Sequence, residues 1–190
     1  MQKHTSRCQA VFAAVLLLAL ASLAQAQPIG GIHVQRLAPY VPSPPPVVDR
    51  MLELAELTSS DTVYDLGSGD GRIVITAAQQ FGARAVGVEI DPELVRKTRA
   101  RIRDLNLTSR VRILNQDALT VDLSSATVVT LYLLTASNKL LKPNLERSLR
   151  PGARVVSHDF AIEGWKPLKT DRIRGLGRMH TIYLYEIGKQ

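Results

Sequence analysis

A glycine-rich turn between an apolar strand and the start of a helix constrains this chain more than any other feature. Residues 63–73 read VYDLGSGDGRI, with glycines at the alternate positions 67, 69 and 71. Glycine allows sharp bends and lets a ligand lie on main-chain N–H groups, because no Cβ intervenes. The following helix adds unpaired N–H groups and the positive end of its dipole. A dinucleotide turn of the form Gly-x-Gly-x-x-Gly would need a third glycine where this chain has Arg72.

The length and composition indicate one ordinary globular domain. The chain has 190 residues, of which 45% are hydrophobic and 22% charged, enough to bury a substantial core. Its net charge of +7 is compatible with anionic partners but specific for none of them. Five cations crowd the stretch 96–103, and we interpret them as a solvated helix face. No aromatic residues interleave with them, so no nucleic-acid partner is expected.

The first 26 residues are typical of a targeting segment. Lys3 and Arg7 precede an apolar run over residues 10–23, and the small-x-small sequence of residues 24–26 could be cleaved. The run is shorter than the roughly 20 residues that span a bilayer. A signal peptide for export to the periplasm or the medium is therefore expected, with an uncleaved membrane anchor as the alternative. Cys8 is the only cysteine, so a processed chain would have no disulfide.

Residues 27–46 form a Pro/Gly-rich arm that we predict to be extended. After this arm, strand and helix patterns alternate along the chain. Residues 47–190 are predicted as one α/β domain with a doubly wound, mostly parallel sheet and an antiparallel last strand. No long helix is predicted for residues 158–178. Strands are expected at 62–66, 85–90, 111–114, 126–133, 154–157 and 181–187. Helices are expected at 47–57, 71–81, from 92, and from 136 to 149 with a break at Pro143.

Polar features follow three successive predicted strands. Gly67 and Gly69 follow the first, Glu89 closes the second, and Asp117 follows the third. Ligands of such sheets bind beyond the carboxyl ends of the strands. There Glu89 could accept hydrogen bonds from ribose hydroxyls, and Asp117 could accept one from an adenine amino group. The spacing predicts a nucleoside site.

These motifs resemble those of class I S-adenosylmethionine (SAM) methyltransferases. More narrowly, the PYVP sequence at 39–42, the turn from Asp65 to Val74 and the RVVSHDF sequence at 154–160 resemble one family. It contains the lysine N-methyltransferases of the ATP synthase c-subunit and of the adenine nucleotide translocase. The resemblance implies a Rossmann-like three-layer sandwich, SAM as cofactor, and a protein lysine as methyl acceptor, with a membrane-embedded protein as one option for the substrate. It also implies membrane association through residues 10–23. The implied cofactor residues are Asp65, Gly67, Ser68, Gly69, Gly71, Glu89 and Asp117.

Aromatic side chains near these motifs are the candidates for a catalytic role. Tyr132 ends the fourth strand and Tyr40 lies on the proline arm, where either could stand beside the transferred methyl group. His158 and Asp159 could line the acceptor channel. No metal site is expected, because the four histidines are scattered along the chain.

Three alternatives remain open at this point. A methyltransferase acting on a small molecule would use the same donor site. A catalytically silent nucleoside-binding module would suit an exported protein, which meets little SAM. A nicotinamide-dependent oxidoreductase is disfavoured by Arg72.

Overall fold

A computed structural model of the chain describes residues 37–190, which form a seven-stranded mixed sheet with helices on both faces. The helices are α1 (Pro45–Leu54), α2 (Arg72–Phe81), α3 (Pro92–Asp104) and α4 (Thr135–Ser148). The strands are β1 (Thr62–Leu66), β2 (Arg84–Glu89), β3 (Val111–Asn115), β4 (Val128–Leu131), β5 (Arg154–His158), β6 (Lys169–Gly175) and β7 (Arg178–Glu186).

The strand order is β3-β2-β1-β4-β5-β7-β6. Strands β1 to β5 are parallel, whereas β7 runs antiparallel to β5 and to β6. The predicted Rossmann-like sandwich, with its antiparallel last strand, is confirmed. Because chain order reverses direction at β1 and β4, the carboxyl ends of these strands form the crevice where such sheets bind ligands.

Two apolar clusters, one on each face of the sheet, form the core. Helices α1, α2 and α3 cover the first face through residues such as Met51, Val74 and Ile102. Helix α4 covers the second face through Leu141 and Leu145. The almost continuous apolar runs of β1 and β4 follow from burial on both faces.

Several predicted boundaries were wrong. Helix α1 begins at Pro45, inside the stretch expected to be extended, because proline at the first helical positions loses no hydrogen bond. Strand β4 covers only Val128–Leu131, and α4 continues through Pro143.

Strand β6 was missed altogether, although its residues lie in the segment for which no long helix was expected. Its sequence, KTDRIRG, is polar because it forms the edge of the sheet and packs on one side only. Within residues 37–190, no helix is both long and apolar enough to cross a membrane. The signal or anchor expected at 1–26, with its apolar run 10–23, lies outside the described residues.

Candidate active site

The glycine turn after β1 has the backbone shape that its sequence requires. Gly67, Gly69 and Gly71 all have positive φ angles, of 81°, 53° and 74°. The N–H groups of Gly67 and Ser68 both donate to the carbonyl of Val88, at 2.9 and 3.0 Å. A Cβ at Gly71 would overlap the methyl group of Thr98. The turn is therefore fastened to β2 on one side and to α3 on the other.

Glu89 lies directly beside this turn. Its Oε2 accepts a hydrogen bond from the Gly69 N–H at 2.8 Å, and its Oε1 accepts from the N–H groups of Ile90 and Asp91 at 2.9 Å. The side chain is buried, and Oε2 retains a lone pair for a further donor.

Asp117 lies at the end of the neighbouring strand β3. Its Oδ1 accepts from the Leu119 N–H at 2.9 Å, and the Asn115 side chain donates to the Glu89 carbonyl at 3.0 Å. The structure thus brings the glycines, Glu89 and Asp117 to the carboxyl ends of three adjacent strands.

Asp65 is buried at the end of β1, where Thr130 Oγ1 donates to its Oδ1 at 2.7 Å. Burial raises the pKa of Asp65 to about 7, against the effect of the Thr130 hydrogen bond, and the negative charges of Glu89 and Asp70 add to the rise. The carboxyl group is therefore poised to gain or lose its proton near neutral pH.

Ser68 carries a buried hydroxyl without a hydrogen-bond partner among the described residues. Its side chain occupies the space left by Gly87, since a Cβ there would lie 2.6 Å from Ser68 Oγ. Buried hydroxyls are normally satisfied, so this one marks a place for a ligand or a water molecule.

Tyr40 covers the glycine turn from the proline arm. A Cβ at Gly69 would lie 2.5 Å from Tyr40 Cε2, so the ring packs directly on that glycine while staying half exposed. Burial, followed by the charge of Asp70, raises the pKa of the Tyr40 hydroxyl. Tyr40 therefore stands over the turn as an aromatic wall.

Arg72 holds the arm in place. Its guanidinium donates to the Ser43 carbonyl and to Asp70 Oδ2, both at 2.7 Å. The sequence did not predict this role of Arg72, because its contact with Ser43 spans 29 residues.

Tyr132 follows β4 and reaches the end of β5. Its ring stacks on His158 with centroids 3.8 Å apart, and its hydroxyl accepts from Arg178 Nη2 at 3.2 Å. The next residue, Leu133, comes within 3.1 Å of the position that a Cβ on Gly67 would take. Tyr132 therefore lies on the same edge of the sheet as the glycine turn.

His158 is fully buried in a chain of hydrogen bonds. His180 Nε2–H donates to the Gly175 carbonyl at 3.0 Å, because a carbonyl only accepts. His180 Nδ1 lies 2.8 Å from His158 Nε2 and 3.3 Å from Asp159 Oδ2, and the Ser43 hydroxyl lies 2.9 Å from His158 Nδ1. Burial lowers the pKa of His158 to about 4, so its ring is neutral at physiological pH.

Asp159 lies next to this chain in a left-handed backbone conformation, with φ at 60°. Its Oδ2 accepts from Arg178 Nη2 at 2.6 Å, and its Oδ1 accepts from the Thr181 N–H at 2.9 Å. Burial acts to raise the pKa of Asp159, but these hydrogen bonds, with the charges of His158 and Arg178, lower it on balance. Asp159 is therefore a stable carboxylate at the mouth of the site.

Two of the histidines that are scattered along the sequence meet in the fold. His158, Asp159 and His180 meet, with one potential metal-ligating atom from each residue within 4.8 Å of the others. The hydrogen bonds of both rings and the Arg178 ion pair already use these atoms. The sequence analysis did not predict His180 and Arg178 as site residues. The one feature that could have indicated them was the predicted antiparallel last strand, which brings both residues back to the end of β5.

Comparison with known proteins gives a consistent picture. A family model described as "ANTKMT methyltransferase domain" matches residues 65–169. A protein-lysine N-methyltransferase from Saccharolobus islandicus (strain REY15A) is 51% identical over 80% of this chain and 94% of that protein. The ATP synthase c-subunit lysine N-methyltransferase of Xenopus laevis is 33% identical over 79% of this chain and 64% of its own length.

A solved structure is similar over the same region. The crystal structure of an RNA methyltransferase from Salinibacter ruber, in complex with S-adenosyl-L-homocysteine, has a TM-score of 0.75 and 49% sequence identity. The match covers 79% of this chain and 95% of that one.

Proposed function

Because the chain belongs to the ANTKMT methyltransferase family and uses SAM as its methyl donor, we propose that it methylates the side-chain amine of a lysine in a protein substrate. The observation that carries this proposal is the 51% identity to a protein-lysine N-methyltransferase across 94% of that protein. The candidate site agrees in charge, because a lysine ammonium needs an anion at the entrance and Asp159 supplies one.

The donor site is proposed to comprise the turn and the strand ends. The main chain of Gly67, Gly69 and Gly71 would lie against the methionine part, beside the buried Ser68 hydroxyl and Asp65. Glu89 would accept hydrogen bonds from the ribose hydroxyls, and Asp117 would accept one from the adenine amino group. The unpartnered Ser68 hydroxyl and the glycine main chain beneath the Tyr40 ring fit such a ligand. When bound, SAM supplies an electrophilic methyl group on a sulfonium.

The acceptor site is proposed to lie between Tyr40, Tyr132 and Asp159. The Arg178 guanidinium bridges Tyr132 and Asp159, which supports the view that this point favours a cation. A lysine ammonium displacing Arg178 would meet the same two oxygens.

The amine must lose a proton before it attacks, because only a nitrogen lone pair forms the new N–C bond as the C–S bond breaks. The lowered pKa of Asp159 makes it a binding group for the ammonium and a poor base. The proton therefore leaves to water, which reaches the exposed side chains of Arg178 and Tyr40. The two tyrosine rings align the amine and exclude solvent from the line of attack.

The test is transfer of labelled methyl groups from SAM to protein by the full chain, followed by mass spectrometry of modified lysines. Cell extract of the source organism serves as substrate, in membrane and soluble fractions. We expect methyl-lysine with the native chain and at least about tenfold less with Asp159→Asn. Asp171→Asn is the matched control, because Asp171 pairs with Arg50 of α1 and should leave methylation unchanged.

RNA is the second candidate acceptor, because the Salinibacter ruber protein of 49% identity is described as an RNA methyltransferase. Total RNA in a parallel assay separates the two. Methylated nucleosides without methyl-lysine would overturn the protein-lysine proposal. Turnover on small amines alone would indicate a small-molecule enzyme, and SAM binding without any turnover would indicate a silent module.

The compartment is proposed from residues 1–26 alone. Their charge and hydropathy favour export, or an anchor that leaves the domain in the cytosol with SAM. Mass spectrometry of the mature N-terminus distinguishes them. A start at Gln27 supports export, and an intact first residue supports the anchor, which would suit a membrane-embedded substrate.

A further inference from the structure

A second cleft lies at the opposite edge of the sheet from the candidate active site. It is formed around the amino ends of β1, β2 and β3 and has a volume of about 490 Å³. We propose that this cleft binds a small ligand that carries two or more phosphate groups. The proposal does not depend on the identity of the methyl acceptor.

Positive charge is the main feature of this cleft. Four arginines line it: Arg84, Arg110, Arg112 and Arg150. Within residues 37–190, no carboxylate side chain lines it. Strand pairing explains the convergence, since Val86 of β2 lies opposite Arg112 of β3 and the Ala85 N–H donates to the Arg110 carbonyl at 2.9 Å.

These guanidinium groups are left without counter-charges. Arg84 and Arg150 have no side-chain partner among the described residues, and all four side chains are exposed. Arg110 donates to the Gly82 carbonyl at 2.6 Å, and Arg112 donates to the Tyr64 hydroxyl at 3.4 Å. These neutral acceptors orient two of the guanidinium groups without reducing their charge.

Hydroxyl groups complete a set of donors suited to phosphate. Thr62, Thr108, Ser109 and Ser125 line the same cleft. The Ser125 hydroxyl lies 3.0 Å from that of Tyr64, which connects it to Arg112. Arginine forks match phosphate oxygens in pairs, and hydroxyls can donate to the remaining lone pairs.

A cluster of like charges has an energetic consequence. Four unneutralised guanidinium groups around one cleft repel each other and destabilise the folded chain. A bound polyanion would remove that repulsion, so ligand binding and stability are coupled. Removing two of the charges should instead stabilise the free protein slightly while weakening the binding of the ligand.

The lining favours a small phosphate ligand over RNA or a membrane surface. Single-stranded nucleic acid binds where bases can stack on aromatic side chains, and none lines this cleft. A membrane surface would meet exposed apolar residues, and none of the large exposed apolar side chains within residues 37–190 belongs to the lining.

The experiment measures calorimetric binding and the melting temperature (Tm) of the full chain with inorganic pyrophosphate and with ATP. Ionic strength is matched with chloride, and anionic lipid vesicles form a separate arm. The variant Arg84→Gln/Arg150→Gln is compared with Arg96→Gln, which removes an exposed cation of α3 outside the cleft. We expect pyrophosphate or ATP to raise the Tm, and the double variant to bind at least about tenfold more weakly, a change of about 1.4 kcal/mol.

The control variant should bind like the native chain, and the free double variant should melt no lower than the native chain. Equal binding by the native chain and the double variant would overturn the proposal, as would the absence of any shift with both probes. Binding to vesicles but not to either small probe would also overturn it. Methyl transfer should be unchanged in the double variant, so failure here leaves the proposed lysine methylation intact.

Discussion

The phenol ring of Tyr132 stacks on the imidazole of His158, with 3.8 Å between ring centroids and 28° between ring planes. The contact joins the end of β4 to the end of β5 at the mouth of the candidate site. His158 is itself held by Ser43 on one side and His180 on the other. The orientation of Tyr132 therefore depends on a buried, neutral histidine.

The variants Tyr132→Phe and Tyr132→Ala separate the hydroxyl from the ring. Phenylalanine keeps the stack on His158 but loses the hydrogen bond from Arg178, so we expect kcat to fall about tenfold with SAM affinity unchanged. Alanine removes the aromatic wall, and we expect a loss of about a hundredfold or more. Steady-state kinetics on a protein substrate that the native chain methylates measures the loss of activity in both variants. Equal activity of Tyr132→Ala and the native chain would contradict a role for this ring.

Gly69→Ala should weaken SAM binding at least about tenfold, because the added Cβ would lie 2.5 Å from Tyr40 Cε2 and would displace the ring from the turn. The control is Gly152→Ala, which also has a positive φ, of 84°, but nothing within 4 Å of the new methyl group. Each substitution should cost about 1 kcal/mol of folding stability from the left-handed backbone alone. Calorimetric titration with SAM distinguishes them, and equal affinities in both variants would remove the glycine turn from the donor site.

The variant Asp65→Asn should make the free protein more stable above neutral pH. The pKa of Asp65 is about 7 in the folded state against an ordinary 3.8, so the folded state holds a proton that the unfolded state has lost. Its contribution to the free energy of unfolding therefore falls as pH rises between these values, by up to about 1.4 kcal/mol per pH unit. Urea unfolding at pH 5 to 8 measures the effect. Asparagine keeps the acceptor for Thr130, so a destabilised variant at pH 8 would contradict the assignment.

The variant His158→Gln should change the pH dependence in the opposite sense. The pKa of His158 is about 4 in the folded state against an ordinary 6.5, so only the unfolded state binds a proton between these values. Stability from His158 is thus complete above about pH 6.5 and is lost as pH falls towards 4. The two residues oppose each other, so we expect the native chain to show a nearly flat profile between about pH 5 and 6.5.

The double variant Asp65→Asn/His158→Gln provides the control for both. Asp65→Asn alone should become more stable with rising pH in this window, and His158→Gln alone should become less stable. The double variant should be flat again, at a different overall stability. Parallel slopes in the two single variants would show that one of the two pKa shifts has the wrong sign.

Patterns within a few residues determined the fold and the donor side of the site. The alternating glycines, the apolar runs of β1 and β2, and the acid at the end of β2 are each encoded by neighbouring residues. Since parallel strands bring their carboxyl ends to one edge, the sequence by itself predicted that the glycine turn, Glu89 and Asp117 would lie together.

The acceptor side depended on the tertiary structure. Arg72 reaches Ser43 across 29 residues, and His180 meets His158 across 22. Such contacts depend on the register between β5 and β7 and on where the proline arm packs, and neither is encoded in local periodicity. Strand β6 was missed for a related reason. An edge strand that packs on one side only lacks the continuous apolar run that identifies a central strand. Local sequence patterns thus predicted which residues form the proposed donor site, whereas strand register decided which side chains lie at the proposed acceptor site.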